Sequence, residues 1–140
     1  MRNQPGIVAA VLAVSVACAA GETPTAAFFA YHDAALKAKS LEDLASMLPK
    51  ADRDKIAGAP DKAKQVMLRV HQDMARLASE RPKVLSEKID GDKAVLQVET
   101  VCDYKDLSAR LGKKPCQASV NLVKESGAWK VTGATNWQVK

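Results

Sequence analysis

The sequence predicts an α+β domain in which N-terminal helices pack on an antiparallel sheet of about four strands. Two observations predict this class. Between residues 26 and 79, apolar side chains recur at helical spacing. From Val84 to Lys140 they alternate with polar ones, as in strands, and short turn sequences interrupt the pattern. Helices that precede all the strands, rather than alternating with them, are typical of α+β folds.

The chain begins with a short apolar run, Ile7 to Ala17, which follows a single positive charge at Arg2. A membrane-spanning helix needs about 20 apolar residues, so this run is too short to cross a bilayer. Its length matches the hydrophobic segment of a secretory signal. We therefore predict a signal peptide over residues 1–17 and export to a bacterial cell envelope.

The letters VAC that end at Cys18 resemble a lipobox, the sequence that lipoprotein signal peptidase cuts just before a cysteine that becomes acylated. Ser15 departs from the leucine that is commonest at its position. We expect an acylated Cys18 followed by a tether, together residues 18–25, with ordinary cleavage after Ala19 or Ala20 as the alternative. The anchored protein would face the periplasm, and the alternative would leave it soluble there.

Two further observations bear on this localisation. Ala19, rather than aspartate, follows the cysteine, which favours the outer membrane over the inner one. The chain has three cysteines, so acylation of Cys18 would leave Cys102 and Cys116 as a pair. The periplasm permits disulfides, and we predict a disulfide between these two residues.

The charge is mildly basic and scattered along the chain. There are 21 Lys and Arg against 16 Asp and Glu, and loss of residues 1–17 removes only Arg2. Basic and acidic residues alternate along the predicted helices, as on solvated helix surfaces. Together with export, this pattern excludes nucleic acid as an expected partner. About 120 mature residues suit one domain with one core.

The helical region divides into four segments. Thr25 is predicted to cap a helix over residues 26–39, and a short helix follows over residues 41–48. Residues 50–60 predict a single helical turn or a loop. The longest helix is predicted over residues 61–79. Its inward stripe comprises Ala63, Val66, Met67, Val70, Met74, Leu77 and Ala78.

The alternation of apolar and polar residues predicts how the strands pair. If Cys102 lies opposite Cys116, the central two strands bury one continuous apolar face. A two-residue turn at residues 126–127 extends this face and places Trp137 beside Cys116. The inward residues are then Ala94, Leu96, Val98, Thr100, Ala118, Val120, Leu122, Trp129 and Val131.

The strand sequences KIDGDKAVLQV and SGAWKV resemble those of the NTF2-like lipoproteins of the domain-of-unknown-function 4878 type. The resemblance spans about Thr23 to Lys140, although the helices match by pattern only. It implies a cone, with a curved sheet wrapped around helices and a pocket at the open end, and we assign residues 26–140 to this domain. The insert KDLSARLGKKP between the two cysteines departs from the family.

No residues predict a catalytic, metal or cofactor site. His32 and Asp33 are adjacent, and His71 and Asp73 are two apart, so neither pair can meet on a helix face. Tyr31 has no obvious base partner, and no His, Cys and acidic residues have metal-ligand spacing. The resemblance extends to ketosteroid isomerases and dehydratases as well as to binding modules, and fold alone does not assign a reaction. We expect no enzyme.

Small and adaptable side chains mark a candidate pocket. Gly and Thr leave space where larger inward residues would fill it, and Met side chains adapt to irregular space. The candidate lining residues are Tyr31, Met67, Met74, Thr100, Gly133, Thr135 and Trp137. We predict a non-enzymatic exported lipoprotein whose cone or rim binds a small apolar ligand or an envelope protein. The alternatives are an isomerase or hydratase of the same fold and an immunity-type protein that neutralises a secreted toxin.

Overall fold

A computed structural model describes residues 23–140, so the predicted signal peptide and Cys18 lie outside the described residues. Four helices precede five strands, and the predicted α+β class is confirmed. The helices are α1 (Pro24–Lys37), α2 (Glu42–Ala45), α3 (Lys50–Ala57) and α4 (Asp61–Leu77). The strands are β1 (Lys83–Asp90), β2 (Lys93–Asp103), β3 (Lys113–Glu125), β4 (Ala128–Val131) and β5 (Gln138–Val139). Within residues 23–140, no helix combines the length and the apolar character needed to cross a membrane.

Helix α1 begins earlier than predicted. Thr23, not Thr25, caps it, because its side chain accepts a hydrogen bond from the amide of Ala26 at 3.0 Å. Pro24 occupies the first turn, where its fixed φ suits a helix and its missing N–H costs nothing. The hydroxyl of Thr25 instead donates to the Glu87 carboxylate on β1 at 2.7 Å. The last residues of the predicted tether therefore belong to the helix.

Helix α3 is longer than the single turn or loop that the sequence predicts. It runs from Lys50 to Ala57 and ends at Gly58. Its first amide, that of Lys50, donates to the carboxylate of Glu125 at the end of β3 at 2.9 Å. This contact satisfies one of the four free amides of a helix N-terminus with a residue 75 positions away, which local sequence does not reveal.

The sheet is antiparallel and ordered β1-β2-β3-β4, with β5 also paired to β3. The predicted register between β2 and β3 is wrong by two residues, because Cys116 lies opposite Thr100 and Cys102 lies opposite Lys114. A two-residue shift leaves every side chain on the same face, so alternation of apolar residues does not distinguish the two registers.

The predicted disulfide is nevertheless present. It joins Cys102 to Cys116 diagonally across the two strands, with 5.9 Å between their Cα atoms. Diagonal neighbours on one face of an antiparallel pair are close enough for their side chains to meet. The disulfide therefore shows that Cys102 and Cys116 lie on the same face of the sheet, but it does not determine which residues of the two strands lie directly opposite each other.

The second half of the sheet also differs from the prediction after Val131. Leu122 pairs with Val131 as predicted, but Val139, rather than Trp137, lies opposite Cys116. Residues 132–137 lie outside both β4 and β5, and across this stretch the pairing with β3 shifts by two residues. Trp137 remains buried, as its parity predicts.

The inward face of β2, β3 and β4 forms the core with the helices. Its residues are at most 6% exposed, and they are Ala94, Leu96, Val98, Ala118, Val120, Leu122, Trp129 and Val131. They pack against Phe28, Tyr31, Ala35, Leu41 and Leu44 from the first two helices and the turn between them. The opposite face of the sheet carries Gln97, Gln117, Ser119 and Asn121 and is exposed. The helices therefore cover one side of the sheet only.

The two faces of β2 predict unequal mutational costs. Leu96→Ala removes a fully buried side chain and is expected to lower the free energy of unfolding by about 2–5 kcal/mol. The adjacent outward change, Gln97→Ala, is expected to stay within about 0.5 kcal/mol. Urea denaturation of both variants measures the difference. Equal losses would mean that both faces of the sheet are covered.

The disulfide predicts a stability that depends on the redox state. It encloses a loop of about 15 residues, for which chain entropy gives about 3 kcal/mol of stabilisation. Dithiothreitol is expected to lower the urea midpoint of the wild type and to leave that of a Cys102→Ala, Cys116→Ala double variant unchanged. Both sulfurs are buried, so thiol titration is done in denaturant. Two reactive thiols in unreduced protein would show that the bond does not form.

Candidate functional site

An open apolar groove lies between α3, α4 and the segment that follows β4. Its volume is about 270 Å³. Apolar side chains form most of its wall: Leu48, Ile56, Val66, Met67 and Val70. Asp52, Lys55 and His71 add ionisable groups, and Thr132, Gly133 and Ala134 close the remaining side. Small-molecule sites in proteins usually combine mainly apolar walls with a few polar groups in this way.

Hydrogen bonds to the edge strand β4 position one wall of the groove. The amide of Val131 donates to the carbonyl of Met47 at 2.9 Å, and the ammonium of Lys130 donates to the carbonyl of Ser46 at 2.6 Å. These bonds hold the start of α3 beside the end of β4. Gly133 has a φ of 134°, a conformation that residues with a side chain rarely adopt, and there the chain leaves the sheet.

Helix α4 presents part of its predicted core stripe to this groove instead of burying it. Val66 is 61% exposed and Val70 is 49% exposed, whereas Ala75 and Leu77 near the end of the helix are buried. The prediction that the whole stripe is core is therefore wrong. The first half of α4 faces α3 across the groove, and the eight residues of α3 leave Val66 and Val70 uncovered.

A hydrogen bond between α1 and α4 lies next to the groove. The Tyr31 hydroxyl and Nδ1 of His71 are 2.5 Å apart, and the two rings meet edge to face with 5.7 Å between their centroids. Tyr31 is 1% exposed, whereas His71 is half-buried and lines the groove. The imidazole therefore connects the buried core to the groove.

Burial changes the protonation of both partners. It raises the pKa of the Tyr31 hydroxyl far above its ordinary value, so the phenol keeps its proton. It lowers the pKa of His71 below 6.5, and the nearby negative charge of Asp52 opposes this effect in part. His71 is consequently neutral at pH 7. One neutral imidazole, one carboxylate and one ammonium thus share the groove.

The structure separates the residues of the predicted pocket. Met67 and Gly133 line the groove, and Tyr31 reaches it only through His71. Met74 packs against the core, and Thr135 and Trp137 are buried within it. Thr100 donates its hydroxyl to the Glu80 carbonyl at 2.9 Å, beside a different, polar depression. The groove therefore forms at one side of the helices rather than around these residues.

Sequence reasoning missed His71 as a site residue. It lies on the same face of α4 as Met67 and Met74, four residues after one and three before the other, so the apolar stripe itself contained a signal. Its partner Tyr31 is 40 positions away, which only the packing of α1 on α4 reveals. His32, the other histidine, is buried next to Phe28 and does not line the groove. Among residues 23–140, no group of three His, Cys or acidic side chains is arranged to hold a metal ion.

No family model matches this chain, and no curated protein matches its sequence. Solved structures do match its fold. One is provisionally designated a calcium/calmodulin-dependent protein kinase type II association domain, from Thiobacillus denitrificans. It has a TM-score of 0.52 and 18% identity, over 84% of this chain and 95% of that one.

Two further structures agree over similar lengths. A SEC-C motif-containing protein from Rhodopseudomonas palustris has a TM-score of 0.52 and 9% identity, over 87% of this chain and 82% of its own. A protein provisionally designated a dehydratase of the NTF2-like family, from Streptomyces avermitilis, has a TM-score of 0.50 and 13% identity, over 85% and 95% of the two chains. Likenesses at such low identity establish architecture alone, and they show that this chain has the NTF2-like fold.

Proposed function

We propose that the protein is a non-enzymatic binding protein of the bacterial cell envelope, and that its groove holds a small apolar molecule. The exposed apolar face of α4 carries this proposal. Val66 and Val70 would be core residues in a helix with a purely structural role, yet they face an open groove. A bound apolar molecule would remove this area from water, which is favourable by roughly 25 cal/mol per Å².

The size of the groove favours a small ligand. An engineered cavity of about 150 Å³ holds benzene, so a groove of about 270 Å³ encloses roughly ten non-hydrogen atoms, and because the groove is open the rest of a larger ligand can extend beyond it. A protein partner would need a far larger contact, about 800 Å² on each side. An envelope protein that binds the rim remains the alternative to a small molecule.

Binding without turnover is the simpler use of these side chains. Only one imidazole lines the groove, and its Nδ1 is already bonded to Tyr31. Proton transfer by His71 is the basis of the alternative function, an isomerase or hydratase, since a half-buried imidazole with a carboxylate nearby is a common acid–base pair. The dehydratase of the same fold is similar in architecture only.

The envelope location rests on the leader, the VAC sequence at Cys18 and the disulfide. The bond between Cys102 and Cys116 is buried and joins adjacent strands, as expected of a structural disulfide in an oxidising compartment. Acylation of Cys18 would place the domain on the periplasmic side of a membrane. Such an anchored domain would meet apolar molecules near the lipid surface.

Binding in the groove predicts that a neutral fluorescent probe reports on it. N-phenyl-1-naphthylamine is expected to brighten with the wild type, and Val70→Asp is expected to weaken its binding at least about tenfold, because a carboxylate in the groove would be desolvated. Leu85→Asp is the matched control, since Leu85 is 55% exposed on β1, far from the groove wall in sequence and on another element.

Equal binding by all three proteins would refute the groove as the binding site. A separate experiment tests whether the protein is non-enzymatic. If the wild type exchanges the α-hydrogens of a bound ketone with deuterated solvent and His71→Gln does not, the isomerase or hydratase is supported instead.

The lipid anchor predicts a cysteine-dependent fractionation. Cys18→Ser is expected to abolish metabolic labelling with a fatty acid and to release the protein into the soluble periplasmic fraction. The double variant Cys102→Ala, Cys116→Ala serves as the control, because these two sulfurs are buried in the domain as a disulfide and their loss should leave labelling intact. Labelling that persists in Cys18→Ser would contradict acylation at this residue.

A further inference from the structure

We propose that the groove selects apolar molecules that carry one neutral hydrogen-bond-accepting oxygen, such as a ketone or an alcohol, and that Nε2–H of His71 donates to this oxygen. Tyr31 acts as a positioning residue, because it fixes the imidazole in the tautomer that carries the proton on Nε2. This inference rests on the proposed function of the groove and specifies the chemistry of its ligand.

The tautomer follows from the hydrogen bond between α1 and α4. Within residues 23–140, the Tyr31 hydroxyl has one hydrogen-bond partner, Nδ1 of His71. If Nδ1 carried the proton, the hydroxyl would accept it and its own hydrogen would be left unpaired in the core, at a cost of about 1–3 kcal/mol. The phenol therefore donates, Nδ1 accepts, and in the neutral ring the proton is on Nε2.

The remaining nitrogen is available to a ligand. Nε2 of His71 makes no hydrogen bond to residues 23–140. The buried side-chain polar atoms without a partner among these residues are Nδ1 of His32, Oγ1 of Thr135 and Nε1 of Trp137. Because Nε2 of His71 also lacks a partner but is not among these buried atoms, it is accessible. The two ring nitrogens point in different directions. Since Nδ1 faces the buried phenol, Nε2 points away from the core, on the side where His71 lines the groove.

The charges around His71 favour a neutral head group. Asp52 on α3 is close enough for its negative charge to act on the imidazole, and it would repel a carboxylate at Nε2. Lys55 also lines the groove, but its side chain is exposed, where solvent screens it. Asp52 would attract a cationic head, but that head has no lone pair to accept the hydrogen of Nε2–H and would leave the donor unpaired. A ketone or hydroxyl oxygen avoids both conflicts.

A matched series of eight-carbon compounds tests this selectivity at pH 7.5. The series is 2-octanone, 1-octanol, octanoate and octylamine, with binding measured by displacement of N-phenyl-1-naphthylamine. We expect 2-octanone and 1-octanol to bind the wild type about two- to tenfold more tightly than octylamine, which is the range for one added hydrogen bond. We also expect both to bind more tightly than octanoate, which Asp52 repels. His71→Leu is expected to reduce this preference, with every affinity expressed relative to that of the probe for the same variant.

Tyr31→Phe tests the positioning role with the loss of a single hydroxyl. Nitrogen NMR of the imidazole is expected to show the proton on Nε2 in the wild type and a mixture of tautomers in Tyr31→Phe, together with a weaker preference for 2-octanone. A purely structural role for Tyr31 would change stability but not the tautomer. A wild type with its proton on Nδ1 would overturn the assignment.

The outcomes separate this inference from the proposed function. If all four compounds displace the probe equally, or octanoate binds best, the groove binds apolar molecules but the head-group inference is wrong. If the probe itself does not bind, the proposed function fails and the inference fails with it. A smaller preference in His71→Leu and in Tyr31→Phe, measured relative to the probe's affinity for the same variant, supports the inference.

Discussion

The apolar face shared by β2 and β3 is the constraint on which the rest of the structure depends. Its residues, Leu96, Val98, Val120 and Leu122, are almost completely excluded from water, and the helices are the elements that cover them. A buried aliphatic side chain contributes about 1.5–3 kcal/mol, so this face outweighs any single polar contact in the domain. The disulfide between Cys102 and Cys116 strengthens the same pair of strands at their far end.

Covering a sheet with helices leaves part of the longest helix without a partner. The second half of α4 buries Ala75 and Leu77 against the core, while its first half extends toward α3 and exposes Val66 and Val70. A cover of short helices thus creates an apolar groove beside the core rather than a closed cavity within it. The same geometry places His71 at the boundary, where one ring nitrogen bonds to the core and the other makes no hydrogen bond within residues 23–140.

The polar contacts of the fold mostly set positions and contribute little stability. Most of the ion pairs in the described residues are on the surface, such as Lys50–Asp54 and Arg81–Asp33, and exposed pairs of this kind contribute at most about 1 kcal/mol. The bonds that matter for the groove are those to backbone groups, from Val131 and Lys130 to the segment before α3. They hold the segment before α3 against β4, whose following residues Thr132, Gly133 and Ala134 line the groove.

The sequence by itself determined the class of the fold, the inward face of each long strand and the pairing of the cysteines. The class follows from the change from helical spacing to alternation along the chain, the inward face from the alternation itself, and the cysteine pair from the count of three cysteines. The start of α1 was misplaced only because Thr23 and Thr25 both suit a cap, and Pro24 decides between them once the helix is seen. The two errors in strand register arose because a shift of two residues leaves parity unchanged, so alternation does not reveal it.

Only the tertiary structure decided where the groove lies and which ionisable group serves it. Tyr31 and His71 are on different helices, and their contact depends on how α1 packs on α4, a geometry that local pattern does not contain. The helical state of α3 depends in the same way on Glu125, a distant residue that satisfies its first amide. The periodicity of apolar residues indicates which side of a helix is apolar. Whether another element covers that side depends on the lengths and positions of its neighbours, which are properties of the assembled fold.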